Sequence, residues 1–448
     1  MDLSAFTDIE SEVRYYCRRL PNLLASAKGA IIRDVDGNEF IDFLSACGAL
    51  NYGHNHPALK MAAMEYLASD GIVAGLDFHT SAKLAFIEGF RDFILRPRGL
   101  DYKLQFPGPT GTNCVEAAVK LARKVTGRSS VVAFTNAFHG MSAGALALTG
   151  SRKARQATSA VLHGAVRVPF DGYKGAGSGD LERLVAMAND PSGGIDPIAA
   201  IIIETVQGEG GLNVASDDWL RMLHQAAKAL GALLIVDDIQ AGCGRTGTFF
   251  SFERAGLVPD VVCMAKSISG LGLPMSLLLM KPEHDVWEAG EHNGTFRGNS
   301  LAFVTGKAAL ELWRNGELAE VPRHGHVLSS WTAEMARRYG ESLRPKGLGM
   351  MQGIEFAAPH FAGAVAEAAV RRGVVVECCG PHDEVLKLMP PLNIGSETLE
   401  DGLGRIAEAI REVIPSSVSF SKRYESHPDA HYHGGNAVVG PELAHAVA

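Results

Sequence analysis

The feature that most constrains this 448-residue chain is a series of six short apolar segments between residues 130 and 280, separated by stretches with helical spacing. They are Ser130–Phe138 (SVVAFTNAF), Ala165–Phe170 (AVRVPF), Ala199–Val206 (AAIIIETV), Ala232–Ile239 (ALLIVDDI), Val261–Ala265 (VVCMA) and Ser276–Met280 (SLLLM). A strand with one wet face alternates polar and apolar side chains. These segments are almost continuously apolar, which is the pattern of strands covered on both faces of a mostly parallel sheet flanked by helices. The chain is therefore read as α/β.

One intervening helix shows the local logic. In SDDWLRMLHQAAKALG, Ser216 can cap the N-terminus, and Asp217 and Asp218 suit the positive end of the helix dipole. Trp219, Leu220, Leu223, Ala226, Ala227 and Leu230 share one face, and Gly231 ends the helix. Upstream, Ala30–Leu44 (AIIRDVDGNEFIDFL) reads as a hairpin with an Asp-Gly turn. Downstream of residue 320, a helix precedes strand-like segments at Gly349–Phe356, Gly373–Glu377 and Glu384–Met389. The expected division is an N-terminal segment (1–59) joining a small α+β domain, a large domain (60–320), the C-terminal part of the small domain (321–420) and a flexible tail (421–448). The tail histidines His427, His431 and His433 read as solvated side chains more readily than as a metal site.

Composition narrows the function. Hydrophobic residues make up 46% and charged residues 21% of the chain, the balance of a soluble globular protein. The formal net charge of −8, with no dense basic run, gives no footing for nucleic acid. Seven scattered cysteines without a CxxC indicate neither a zinc site nor a disulfide framework, so a reducing cytoplasm is expected. The polar, acidic N-terminus is unlike a signal peptide, and no apolar run is long enough to span a membrane.

In open parallel sheets, ligands bind beyond the carboxyl ends of the strands, and four segments there carry unusual residues. GPTGTN (Gly108–Asn113) precedes a helix whose first N–H groups suit a phosphate, although a plain Gly-Pro turn with a Thr cap explains it as well. NAFHG (Asn136–Gly140) offers an aromatic ring and a histidine that could stack on a flat ligand; a core phenylalanine is the simpler alternative. IVDDIQAGCGRTG (Ile235–Gly247) ends a buried strand with two adjacent carboxylates on opposite faces. A buried carboxylate needs a partner, either a cationic ring nitrogen or a structural arginine. MAKSISG (Met264–Gly270) places a lysine at the end of an apolar run, where burial lowers its pKa toward that of a nucleophilic amine; a snorkelling surface lysine is the alternative.

Together these segments resemble the class III (ω-amino) aminotransferases of fold type I, over about residues 10 to 415. The 29 residues from Asp237 to Lys266 fit the family's spacing. The resemblance implies a large domain built on a seven-stranded, mostly parallel sheet and a smaller α+β domain from both ends of the chain. It implies pyridoxal 5′-phosphate, with Lys266 joined to the cofactor and later shuttling a proton, and with Asp237 on the pyridinium nitrogen. Gln240 would lie beside the ring's phenolic oxygen, Phe138 on the ring face with His139 alongside, and Gly111 and Thr112 at the phosphate. NGTFRGN (Asn293–Asn299) matches a motif whose threonine, here Thr295, reaches the phosphate of a neighbouring subunit, which implies a homodimer or higher even assembly. ETVQGEGG (Glu204–Gly211) matches a motif whose glutamates, here Glu204 and Glu209, face the substrate.

Within the family, LNYGHNHP (Leu50–Pro57), SDGIVAGLD (Ser69–Asp77), KLQFPGPTGTN (Lys103–Asn113), DDIQAGCGRTGTFFSFE (Asp237–Glu253) and KSISGLGLP (Lys266–Pro274) resemble one subgroup. Its members pass the amino group of glutamate to the aldehyde of aspartate semialdehyde, giving 2,4-diaminobutyrate for ectoine, siderophore or peptide-antibiotic pathways. Tyr52, in the first of these stretches, is a further candidate for substrate contact. Two departures fit that subgroup. Met141 stands where many relatives carry an arginine that holds a dicarboxylate. Lys387 stands where many carry the arginine paired with the glutamate at Glu209, and a lysine cannot form the two-pronged fork. Rival readings are a 4-aminobutyrate or ornithine type of aminotransferase, and an aminomutase or epimerase using the same cofactor.

Overall fold

The computed structural model describes residues 3–156, 158, 162 and 164–414; the expectations for the tail and its three histidines fall outside them. Seven strands form the central sheet: β1 (Lys103–Gln105), β2 (Ser130–Phe134), β3 (Ala165–Val168), β4 (Ile198–Ile203), β5 (Leu233–Asp237), β6 (Val261–Met264) and β7 (Leu277–Met280). Their order is β1-β7-β6-β5-β4-β2-β3. β6, β5, β4, β2 and β3 run parallel, and β7 is antiparallel to both of its neighbours. Every residue of β2, β4, β5, β6 and β7 is buried, as continuous apolar runs require.

The helices cover this sheet as their sequences dictate. In the helix Asp217–Leu230, the Ser216 hydroxyl accepts the Trp219 N–H, and Gly231 closes the other end at φ +58°. The Trp219 ring packs edge-on to Phe134 of β2, with centroids 5.3 Å apart. At about 25 cal/mol per Å2, burying an indole of ~200 Å2 contributes several kcal/mol, so the helix is held mainly by its apolar face.

Two smaller sheets complete the fold. Leu24–Lys28, Ile31–Asp34 and Glu39–Asp42 form a meander, and the expected hairpin is its second half. The Asp34 carboxylate closes that turn by accepting the N–H groups of Asp36 (3.0 Å) and Asn38 (2.8 Å). The other sheet runs Leu343–Leu348, Met351–Phe356, Val385–Leu388, Glu377–Cys379. Ile41 and Phe43 from the N-terminal segment share an apolar core with Ile354, Leu386 and Ile406.

Several expectations need correction. β1 and Leu343–Leu348 were not among the candidate strands. KLQ has no apolar run, and LRPKGL carries Pro345 and two cations, as edge strands tolerate. Gly373–Glu377 is not one strand: Val374–Val375 pairs in parallel with Glu39–Asp42, and Glu377–Cys379 joins the other sheet. Several strands also end early, among them those ending at Phe134, Ile203 and Asp237. After β2, Asn136 turns left-handed (φ +61°), and the residues that follow these ends leave the sheet to build the site.

Candidate active site

Four neighbouring strands deliver the polar residues. β6, β5, β4 and β2 lie side by side, and just beyond or at their carboxyl ends stand Lys266, Asp237, Glu204 and His139. The Asp237 carboxylate lies 2.7 Å from His139 Nδ1, and its other oxygen accepts the Ile239 N–H at 3.2 Å. His139 Nε2 is buried with no hydrogen-bond partner among the described residues. Phe138 is only half-buried, which speaks against a core role, and its N–H donates to Glu204 at 2.9 Å. Glu204 also accepts the Gly208 N–H at 3.2 Å. Burial pushes its carboxyl up to about 7; His139 and the two N–H groups oppose this, and the charge on Asp237 adds to it.

The twin carboxylates diverge as strand geometry demands. Asp237 turns to His139, whereas Asp238 is buried against the backbone of Ser251, accepting that N–H at 3.2 and 3.3 Å. Among the described residues no arginine pairs with either carboxylate, and the two serve different neighbours.

Lys266 is half-buried and opens a short turn (Lys266–Ser269). Its backbone is left-handed, φ +53°, a cost of about 1–3 kcal/mol that surrounding structure must sustain. Part of that support is visible: Ser267 Oγ donates to Gly48 O at 2.8 Å and accepts the Asn51 N–H at 3.0 Å. These bonds dock the segment Ser45–Asn51, itself left-handed at Ser45, Ala46 and Cys47, beside the lysine. Burial lowers the Lys266 pKa, partly countered by the Glu209 charge. The amine is thus driven toward its neutral, nucleophilic form.

Gln240 Nε2 donates to Cys47 O (3.0 Å) and Glu209 (3.1 Å), while its Oε1 is buried and unpartnered among the described residues. Lys387 Nζ contacts Glu209 at 2.9 Å and also pairs closely with Glu377. Burial alone would raise Glu209, yet the ammonium groups of Lys387 and Lys266 hold it down at about 2. Burial likewise opposes the charge on Lys387, but the two carboxylates outweigh it and raise its pKa.

Gly111 opens the helix Gly111–Thr126. The first-turn N–H groups of a helix have no intrahelical acceptor. The loop before it is pinned by Ser276, whose N–H and hydroxyl donate to Gly108 O at 3.0 and 2.8 Å. A Cβ at Gly111 would stand 2.9 Å from Ile239, and one at Gly140 (φ +135°) would overlap the Thr112 hydroxyl. Thr112 Oγ1 lies 2.6 Å from Ser142 Oγ. This end of the site suits an anion.

Two candidates lie elsewhere. Tyr52 is a correction: its ring is buried in the core, and its hydroxyl accepts the Trp313 indole N–H at 3.0 Å, because the surrounding apolar side chains enclose it. Thr295 sits on an exposed loop beside Phe296, which is 75% exposed. The sequence reading missed Cys47, Glu377 and Tyr16, whose hydroxyl lies 3.0 Å from Cys47 Sγ. Glu377 carried a usable signal, since a carboxylate within VVVECC is as anomalous as Lys266 within its own run.

The donor set fits one kind of ligand: an anionic end at the helix terminus, a flat ring beside Asp237, His139 and Gln240, and a carbonyl within reach of Lys266. Comparison with known proteins agrees. The family model for class III aminotransferases matches residues 16–410. An uncharacterized aminotransferase of Sinorhizobium fredii is 53% identical over 411 residues, covering 91% of this chain and 92% of the relative. A diaminobutyrate–2-oxoglutarate transaminase of Nocardia farcinica is 50% identical over 414 residues, 92% of this chain and 95% of the relative. Among solved structures, an ornithine aminotransferase from Toxoplasma gondii superposes with a TM-score of 0.79 at 25% identity, covering 92% and 93% of the two chains. A Bacillus anthracis aminotransferase gives 0.80 at 24%, over 92% and 97%.

Proposed function

The chain belongs to the class III aminotransferases, pyridoxal-phosphate enzymes of fold type I, and from that membership we propose that it moves the amino group of L-glutamate to the aldehyde of L-aspartate 4-semialdehyde. The products are 2-oxoglutarate and L-2,4-diaminobutyrate. The observation that carries this choice of substrates is the identity of about half, over nine-tenths of the chain, with transaminases of that name.

When bound, the cofactor supplies an aldehyde carbon that accepts the amino group and a protonated ring that withdraws electrons. The protein's part follows from its own groups. Lys266 Nζ would hold the cofactor and, as a base, would carry the proton lost from the donor's Cα. Asp237, oriented by His139, would keep the cofactor's ring nitrogen protonated. Gln240 Oε1 and the Phe138 ring would contact the cofactor's ring, with Glu204 beside them. The first-turn N–H groups at Gly111 and Thr112, with the Thr112 hydroxyl, would hold the phosphate. Glu209 and Lys387 face the end of the substrate that does not react.

The same reading makes the enzyme a cytoplasmic homodimer or higher even assembly with shared sites, in which Thr295 contacts the partner's phosphate. Met61, Met64 and Leu67 on the helix Pro57–Ala68 are each more than 50% exposed, as is Phe296, and such a face is covered in an assembly. All seven cysteines are unpaired, as in a reducing compartment, and among the described residues no helix is long and apolar enough to cross a membrane. The division at residues 60 and 320 belongs to this reading too.

The test is a panel of donors and acceptors ranked by kcat/KM. Glutamate with aspartate semialdehyde should lead, ahead of 4-aminobutyrate and ornithine. A leading ornithine or 4-aminobutyrate rate would refute the assignment, and product formed without any keto acid would point to an aminomutase.

A further inference from the structure

Glu377 and Lys387 stand opposite each other in antiparallel register, on the strands Glu377–Cys379 and Val385–Leu388. The Lys387 ammonium therefore serves two carboxylates, Glu209 at 2.9 Å and Glu377 in closer contact. The second Glu377 oxygen meets Cys47 Sγ at 3.4 Å. Gln240 Nε2 joins Cys47 O to Glu209, so the contacts close into a ring, and its charges act on Lys266.

The two carboxylates are not equivalent. The Glu209 side chain is 33% exposed, whereas Glu377 is 5% and Lys387 1% exposed. Glu209 meets solvent and can swing aside for a substrate; Glu377 is enclosed and cannot. With one cation and two anions, the cluster carries a net charge of −1. Charges inside a protein act at an effective dielectric far below that of water, so this excess is felt by whatever occupies the site.

The substrates differ in what they present there. When 2,4-diaminobutyrate reacts through its terminal amine, its far end is a zwitterion of zero net charge. The far end of 4-aminobutyrate is a bare carboxylate. Glutamate reacts through its α-amine instead, so it carries one carboxylate on the reacting carbon and one at the far end. We propose that Glu377 is a specificity-determining residue among compounds that react through a terminal amine: its negative charge, acting through Lys387, favours those whose non-reacting end bears an ammonium over those whose end is only anionic. This rests on the functional reading above.

The test uses the holoenzyme and follows the change in cofactor absorbance in the half-reaction. Two donors each lack one group of 2,4-diaminobutyrate: 1,3-diaminopropane lacks the carboxylate, and 4-aminobutyrate lacks the α-ammonium. In the unaltered enzyme 1,3-diaminopropane should react at least about tenfold more efficiently than 4-aminobutyrate, a ratio set by charge rather than size. In Glu377→Gln that ratio should fall about tenfold or more, and the unreactive dicarboxylate glutarate should bind several-fold tighter. The inference is overturned if 4-aminobutyrate outruns 1,3-diaminopropane in the unaltered enzyme. It is also overturned if Glu377→Gln leaves the ratio unchanged, or lowers all donors equally without tighter glutarate. An unaltered enzyme that does not act on 2,4-diaminobutyrate at all would instead refute the functional reading. The first arm needs no variant, so the inference stays testable if Glu377→Gln fails to fold.

Discussion

Asp238→Asn isolates the second of the twin carboxylates. Asp238 is buried, and burial pushes its carboxyl up to about 7, against an ordinary 3.8. An acid raised in the folded state binds its proton more tightly there than in the unfolded chain. Its contribution to stability is therefore complete below pH 3.8 and is lost as pH rises to about 7. That rise in the carboxyl's pKa corresponds to about 4 kcal/mol, of which about 2–3 kcal/mol is lost between pH 5 and 8. Asparagine has nearly the same shape, keeps an oxygen for the Ser251 N–H and does not titrate. Urea unfolding of the cofactor-free protein at pH 5 and pH 8 should show the variant gaining about 2–3 kcal/mol on the unaltered protein at the higher pH. Any fixed cost of placing the amide cancels in that difference, and Glu204, raised to about 7 in the same direction, is common to both proteins. Because Asp238 faces Ser251 rather than the site, kcat should change only a few-fold. Parallel pH profiles for the two proteins would refute the assignment of Asp238 as a buried, neutralised acid.

Two further outcomes follow from packing. Gly140→Ala puts a methyl group onto the Thr112 hydroxyl and 2.7 Å from Thr112 Cβ, at a backbone φ of +135°; it should weaken cofactor retention on dialysis at least tenfold, with a stability loss of about 1–3 kcal/mol. Met64→Asp with Phe296→Asp, both at exposed apolar positions, should halve the mass seen by sedimentation and lower activity, whereas an unchanged mass would place the subunit contact elsewhere.

The sheet was legible because burial on both faces leaves strands no freedom of composition: β2 to β7 are apolar throughout, apart from the polar Ser130 and Asp237 at strand ends and Arg167 in the edge strand β3. β1 was hidden for the opposite reason, since three residues at the sheet edge carry no pattern. In the site, Lys266 and Asp237 announced themselves as charges within apolar runs. Glu377 met the same criterion but sat in what read simply as a strand of the small domain. Cys47 enters through three consecutive left-handed residues, which no composition rule foretells in Ser-Ala-Cys. Tyr52 failed because a motif position says nothing of which way its ring turns, and the core of Phe43, Leu312 and Leu392 takes it.

The most direct test bears on the ε-amine at position 266. Borohydride reduction of the yellow, fully loaded enzyme, followed by proteolysis and mass mapping, should place a pyridoxyl group on the peptide containing Lys266, and Lys266→Ala should neither label there nor turn over. A pyridoxyl group on another lysine, or normal turnover by Lys266→Ala, would contradict the account at its root.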